Sequence, residues 1–569
     1  MKKWLMALLM VLMLCLCAVA GAQSGLSNVG WEYSEGDYKY KVLEDGTVAI
    51  TRCNVKEQDL VIPDTLGGWT VTQIAVSSFS SRYLTVTIPD TVVSIDGNPF
   101  DDCGKLVSIC VSEQHPAFYT IDGVLFTRDE DRLVAYPRGL KDAHYEIPAG
   151  TKIIGRRAFF NNDYLTDVTI PEGVTVVEKS AFSCCDVLER VELPSSLKTI
   201  GDSAFWENHL LRQVSIPHGV TTIGDEAFTN TSIQELIIPD TVTHIGSSAF
   251  SSCNGLTTVT IPNSVLTMGD NPFAVCEDGL EIIVAEDHPT LKMMDGVLYS
   301  MPDKRLVWFP VNTGRKVYIA PEWVEKIDAG VFWDCDDIVL ISLPQGVKTI
   351  GSHAFQQCDH LAFVNIPDTV ETMGQQVFHF CDDLKRLVVP ASVKSIGGSL
   401  VARSDTVLFV GKGSYAEEYA EEEWLVTYYA EDYFKGNKVL FFYTNEDAYE
   451  DKYQYLTELY GIRKMDNSYF SFYETPENMI QFDYLILASP DKGEVEQMTA
   501  YIYDEEDLVK TACAICALTL SWDDLSIQST QEVIRQLASG EENLTFGDFT
   551  VDFIRDDAPY LGILTMIRK

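Results

Sequence analysis

Seven cysteines, Cys103, Cys185, Cys253, Cys276, Cys335, Cys358 and Cys381, each follow a phenylalanine by three residues. Thiols in such a series could pair as disulfides, hold zinc, or serve as small buried donors. Equivalent positions elsewhere carry Asn162, Asn208 and Thr231, so the shared property is a short polar group rather than sulfur itself. The pattern predicts an inward ladder bonding to neighbouring backbone, with oxidation between stacked rungs such as Cys358 and Cys381 left open. Cys513-x-x-Cys516 lies in the apolar run KTACAICALTL with no second pair and no nearby histidine, and reads as small residues on a buried helix face. His115 and His288 each precede a proline and read as turn residues. With 84 acidic side chains, chance pairing of carboxylates is expected, and they read as solvated surface. No His-Glu-x-x-His, Gly-x-Ser-x-Gly, phosphate-cradling glycine loop or Asp-x-Asp-x-Asp-Gly calcium loop occurs. The expectation is no catalytic site, no metal site and no cofactor.

The cysteines keep time with a longer beat that must position them. An apolar-Pro dipeptide recurs at Ile147, Ile170, Leu193, Ile216, Ile238 and Ile261, then at Leu343, Ile366 and Val389, at spacings of 23 residues within each run apart from one of 22. Between the dipeptides stand a Val, an Ile-Gly pair and an Ala-Phe pair, as in Ile200-Gly201 and Ala204-Phe205. One such unit cannot bury its apolar face alone, so the units must stack, each covering the next. The residues before each Pro, as in LTTVTIP (Leu256 to Pro262), alternate like a strand, which Pro ends by removing a donor. The Gly is expected to permit a tight bend and the Ala-Phe pair to fill the interior. At roughly 4.7–4.9 Å per strand, about fifteen turns would form a parallel sheet on the order of 70 Å along its arc.

A second period is superimposed. Asn98-Pro99-Phe100, His115-Pro116, Asp122-Gly123-Val124-Leu125 and Pro137 recur at an offset of 173, as Asn271, His288, Asp295 and Pro310 begin or mark the second copies. The array is therefore a duplicated block with inserts at about 112–140 and 285–315, whose Asp-Gly steps predict β-hairpins. Residues 31–60 carry the same signature and are expected to form an N-terminal β-hairpin cap on a solenoid spanning 61–429. Near its end, Gly413 to Trp424 fits a short helix with Ser414 as N-cap and Glu417 closing a capping box.

These residues resemble the BspA-type leucine-rich repeats of bacterial and protozoan surface proteins, over roughly 400 of the 569 residues. The resemblance rests on the Ile-Pro, Ile-Gly, Ala-Phe and Phe-x-x-Cys positions, the Asp-Gly-Val-Leu inserts and the ending Gly-Ser-Tyr-Ala-Glu-Glu-Tyr-Ala. It implies an α/β-type solenoid, mostly β with short turns, that makes extracellular contact with host proteins, other cells or matrix. It names no ligand and brings no catalytic motif.

Composition agrees with a folded, acidic, exported chain. The sequence is 46% apolar with a net charge of −42. Such a charge makes nucleic acid and anionic bilayers poor partners, since both require clustered Lys and Arg. Residues 1–22 read as a signal peptide, with Lys2 and Lys3, an apolar run from Trp4 to Val19, and Ala20-Gly21-Ala22. Cleavage is predicted after Ala22, leaving a secreted chain with no further membrane span, retained at a surface, if at all, noncovalently. Leu14 and Leu16, preceding Cys15 and Cys17, argue against lipidation.

Beyond Tyr429 the Pro-Gly beat stops, and residues 436–569 are expected to form a small α+β domain. Lys438–Tyr443 and Phe482–Ala488 read as strands, 446–461, 504–518 and 526–539 as helices, and 546–554 with 561–567 as a closing hairpin. Its tyrosines read as core and rim packing.

The expected binding surface is the concave face of the parallel sheet, made by strand residues that alternate with the buried ones. Arg190, Glu192, Gln213 and Ser215 lie in these rows, as do Leu340, Ser342, Phe363, Asn365 and Arg386. Leu340 and Phe363 beside Arg386 have the composition of an interaction hot spot and are the preferred end. The partner is expected to be an extracellular protein or glycan. Two other readings stay open: a wall-directed enzyme in the C-terminal domain, and a self-associating spacer.

Overall fold

The computed structural model describes residues 29–429, save 81, 277–278, 312, 316, 339, 362, 385 and 403–405, and beyond them the six strands of a C-terminal sheet. The leader, the helices expected at 446–461, 504–518 and 526–539, the strand at 438–443 and the Cys513-x-x-Cys516 pair lie outside the described residues. The chain divides into two compact units, Met1–Thr290 and Leu291–Lys569.

Both units contain the stacked coil that the 23-residue beat demands. Each rung runs a short strand up to its Pro, whose carbonyl accepts the N–H three residues on, as in Val242 to Pro239 at 3.0 Å and Val370 to Pro367 at 3.0 Å. The Pro thus ends one strand and opens a turn. A second strand of two residues follows, ending at the Ile before Gly. These strands, unforeseen as a sheet, are the more continuous set. Ile153–Ile154, Val176–Val177, Thr199–Ile200, Thr222–Ile223, His244–Ile245 and Thr267–Met268 lie parallel within one nine-stranded sheet.

The Gly after this strand is there for a different reason from the one its identity suggests. It does not bend the chain backwards; it lets two rungs touch. Its N–H donates to the preceding rung, as from Gly246 to the Ile223 carbonyl at 2.8 Å and from Gly269 to Ile245 at 2.8 Å. A Cβ on Gly246 would lie 2.4 Å from Asp225 N, and one on Gly269 2.2 Å from Ser247 N. Backbone, which cannot swing aside, occupies the space. The left-handed turns fall instead two residues later, on Ser203, Glu226, Ser248 and His353.

Between these strands the Ala-Phe pairs fill the interior. Phe159, Phe182, Phe205, Phe228, Phe250 and Phe273 stack with centroids 4.7–5.7 Å apart and planes within 2–9° of parallel. In the second unit Phe332, Phe355 and Phe378 do the same at 5.2 and 5.0 Å. The ring separation follows the strand spacing, so one residue type can repeat indefinitely without strain. On the surface of this unit Lys304, Glu325 and Lys348 alternate in sign, and hydrogen bonds from both lysines pull the Glu325 carboxyl down to about 2.

Each coil starts from an antiparallel meander. In the first unit Phe118–Ile121, Val124–Thr127 and Arg132–Ala135 form one, and the third strand runs parallel to Ile153–Ile154. Asp122 (φ 50°) and Gly123 (φ 82°) make the expected tight turn. In the second unit Leu291–Met294, Val297–Ser300 and Arg305–Trp308 repeat the arrangement and lead to Lys326–Ile327. The N-terminal cap is a third instance, three strands rather than a hairpin: Glu32–Glu35, Tyr38–Val42 and Val48–Cys53, the last parallel to Trp69–Ile74.

Where a meander interrupts the stack, Tyr136 replaces Phe100 as the partner of Phe159. Its N–H bonds the Ala158 carbonyl at 2.9 Å and its ring stacks on Phe159 at 5.1 Å. Phe100 N–H turns to its own neighbour's Asn98 Oδ1 at 2.9 Å, while Asn98 Nδ2 reaches the Arg157 carbonyl at 3.0 Å. At Asn98 the Asn-Pro-Phe is thus a splice. Arg157 also meets the buried Asp101 at 2.7 Å.

The coil closes on the helix Tyr415–Glu422, with Ser414 as N-cap accepting from Glu417 N. Glu417 reaches back to Gly413 N, one residue earlier than a regular capping box. The C-terminal sheet is antiparallel, in the order Tyr469–Phe472, Tyr484–Ala488, Val495–Ile502, Gly562–Arg568, Phe549–Arg555, Leu544–Phe546. The closing hairpin is present, and Val495–Ile502 is a strand the sequence reading passed over. Replacing Gly246 or Gly269 by Ala is expected to destabilise the first unit by roughly 1–3 kcal/mol or more, measured by denaturant unfolding, whereas Gly46→Ala, in an open turn at φ 82°, pays only for its left-handed backbone.

Candidate functional site

The cysteine ladder is structural. The Sγ atoms of Cys185, Cys253, Cys276, Cys358 and Cys381 donate to the carbonyls of Phe159, Phe228, Phe250, Phe332 and Phe355, one rung back, at 2.9–3.3 Å. Asn208 Nδ2 does the same to Phe182 at 2.9 Å, and its Oδ1 accepts from Cys185 N at 2.8 Å. Thr231, with a shorter reach, bonds the carbonyl of its own rung, Phe228. The Phe carbonyl is a buried acceptor left over by the turn, and any small donor can satisfy it. Burial pushes the thiol of Cys185 up to about 12, Cys253 to about 11 and Cys381 to about 12, and raises Cys103, Cys276 and Cys358 as well. Thiols so protonated are poor nucleophiles and poor metal ligands. Among the described residues no disulfide joins the cysteines. Among the described residues no three His, Cys, Asp or Glu side chains gather to hold a metal.

The two insert histidines are turn residues, with a defined task. His115 Nδ1 accepts from Ala117 N and Phe118 N at 3.2 and 3.1 Å, and Nε2 faces the Pro89 carbonyl at 3.1 Å. His288 repeats this with Thr290 N at 3.3 Å and Pro262 O at 3.2 Å. The set requires neutral imidazole protonated on Nε2. Burial lowers both pKa values.

What remains as a surface for chemistry is the outward face of the pre-proline strands, in short parallel sheets. His144–Glu146, Asp167–Thr169, Arg190–Glu192 and Gln213–Val214 form one, in which Asp167, Arg190 and Gln213 are register partners and Thr169 faces Glu192. Arg190–Glu192 alternates exposed, buried, exposed, and Asp167–Thr169 buries its central Val168 between half-buried neighbours. Arg190 is engaged by Glu192 and lies 4.0 Å from Asp167, which His144 approaches at 3.4 Å. Ser215 stands exposed just past its strand. The next sheet, Leu236–Ile237, Thr258–Ile261 and Glu281–Val284, pairs Ile237 with Thr260 and Thr260 with Ile283. Ile237 is 79% exposed and Ile283 42%. No Pro follows the strand of Ile283 to mark its row in the sequence, whereas Ile237 directly precedes Ile238-Pro239.

In the second unit Leu340 and Phe363 are register partners, as are Ser342 and Asn365, in the sheet Val317–Ile319, Leu340–Ser342, Phe363–Asn365. Arg386 opens the first strand of the following sheet, Arg386–Val389. The side chains of these five residues lie outside the described residues. The rows can offer apolar, hydroxyl and charged groups at fixed spacing to a ligand, and noncovalent contact is the chemistry they support.

Two outcomes follow from the buried groups. Alkylation of the folded chain with peptide mapping is expected to modify exposed Cys110 first and to leave Cys185, Cys253, Cys276, Cys358 and Cys381 unmodified until unfolding. The folded pKa of His115 and His288 lies below the ordinary 6.5, so the unfolded chain binds more protons between the two values. Their stabilisation is complete above 6.5 and is lost as pH falls through the folded value; melting temperature measured from pH 7.5 to 5 is expected to drop less steeply in the double variant H115Q/H288Q.

A search of curated proteins returned no match. Among solved structures, a leucine rich cell surface protein of Faecalibacterium prausnitzii is 22% identical, covering 71% of this chain and 96% of that one with a TM-score of 0.39. The pneumococcal vaccine antigen PcpA is 18% identical, covering 71% and 99%, with a TM-score of 0.34. A leucine-rich repeat protein of Bacteroides ovatus is 22% identical, covering 67% and 100%, with a TM-score of 0.27. Residues 52–128, 140–254, 221–293 and 314–409 match the BspA type leucine rich repeat region, and with the rungs, ladder and meanders in place the chain belongs to that family.

Proposed function

We propose that the protein is a non-catalytic binding protein, exported and acting outside the cell, that takes a protein or glycan ligand on the outward rows of its pre-proline sheets. The observation that carries this reading is the register itself: side chains of adjacent rungs are held in rows by parallel pairing, so a ligand meets a rigid, preorganised surface. Exposed Ile237 and Ile283 across Thr260, with Arg190 and Glu192 a few rungs away, combine the apolar and charged groups that protein interfaces favour. By residue type, Leu340, Phe363 and Arg386 join apolar and charged groups in the same way. Membership of a leucine-rich repeat family supports contact rather than catalysis. No helix among the described residues is long and apolar enough to cross a membrane.

The test is a binding screen of the full chain against matrix proteins and wall glycans by surface plasmon resonance. Binding is expected to fall at least tenfold in I237E/I283E or in L340A/F363A/R386A, with melting temperature unchanged. Binding that survives both sets would remove the sheet face as the site.

A further inference from the structure

The turns that hold the buried Phe rings form a ridge distinct from either sheet. At the position two residues after the Phe, the rungs from Phe159 onward take a left-handed backbone, supplied by Asn161, Cys184, Glu207, Asn230, Ser252, Val275, Asp334 and Gln357. The last Phe-bearing rung supplies Phe380, the largest side chain of the row, at φ 60° and 50% exposed. A bulky L residue is disfavoured in this conformation, and the half of its ring left in water gains nothing for folding. Strain combined with apolar exposure is an observation that points towards function.

Aromatic and amide side chains cluster on the turns of these rungs. His379 meets the Phe380 ring edge-on at 4.2 Å between centroids. Two rungs back, Trp333 lies flat on the His353 ring at 5.2 Å and 19°, its Nε1 fixed by Gln357 Oε1 at 2.9 Å. Gln375 Nε2 stands 3.2 Å from His353 Nε2. Backbone bonds lock the rungs together, from Gln357 N to the His379 carbonyl at 2.9 Å and from His353 N to Gln375 at 2.9 Å. Trp333, Gln357, Gln375 and Phe380 carry no charge, and in this unit the row holds one carboxylate, Asp334, on a chain of net −42.

We propose that this ridge of the second unit, Trp333, His353, Gln357, Gln375, His379 and Phe380, binds an uncharged polysaccharide. The C–H face of a pyranose stacks on a flat ring, and its hydroxyls exchange hydrogen bonds with primary amides that both donate and accept. A phosphorylated or sulfated polymer would need clustered cations, which these residues lack, and the single carboxylate of the row in this unit, Asp334, is fewer than a basic peptide would need. Ring faces repeated at rung spacing suit a chain of linked sugars better than a single one.

The proposal is separable from a site on the sheet rows, because its variants touch neither row. Affinity electrophoresis of the full chain in gels containing β-glucan, xylan, mannan or glycol chitin is expected to show retardation by at least one polymer. F380G, which removes the ring and suits the left-handed backbone, is expected to weaken that retardation at least tenfold with an equal or higher melting temperature. W333A is expected to weaken it similarly, and W31A, removing a ring 65% exposed in the first unit, to leave it unchanged. Retardation by none of the polymers would overturn the proposal. So would retardation that persists in both F380G and W333A, or a fall in melting temperature in F380G, which would make the ring part of the fold.

Discussion

The distance between successive rungs governs this molecule. Parallel strands sit roughly 4.7–4.9 Å apart, and every group that repeats must tolerate that separation from its own copy. Phe rings tolerate it by stacking face to face. A Cβ at the Ile-Gly step does not, which is why the Gly stays where the rungs touch backbone to backbone. The Phe carbonyl finds its donor one rung on, in Cys or Asn. None of these interactions exists within a single unit, so cooperativity is a property of neighbours, and stability accumulates rung by rung.

The meanders answer the complementary problem of how such a stack begins. An antiparallel ribbon satisfies its own strands and presents one parallel-ready edge to the first rung. Three appear, at Glu32–Cys53, Phe118–Ala135 and Leu291–Trp308, each ending in a strand that the following rung extends. The splice at Asn98 shows the expense of starting again in mid-chain: Phe100 loses its successor, and a side-chain amide must stand in for the missing backbone partner.

Much of this was legible in the sequence because each rung solves one problem with one residue set. Period, Pro stops, insert hairpins, ladder and terminal helix all repeat or carry capping signatures. The second sheet was not legible, since a strand of two residues leaves no alternation to detect. The Gly was assigned to a bend because residue type alone cannot distinguish positive φ from close approach. Val495–Ile502 was missed because Glu496, Gln497 and Thr499 dilute its apolar residues. Of the candidate surface, the alternation of Arg190, Glu192 and Gln213 was readable, whereas Ile283 lacked its Pro marker. Phe380 became conspicuous only once its backbone was seen to be left-handed.

The meanders also give the coil a direction. With a closed ribbon at its head, a stack can gain or lose rungs only downstream of that ribbon. Slippage among near-identical 23-residue stretches of gene would therefore lengthen or shorten the interior of a block while leaving its head untouched. Relatives differing in reach, but sharing the same starting ribbons, are the natural product of such an architecture.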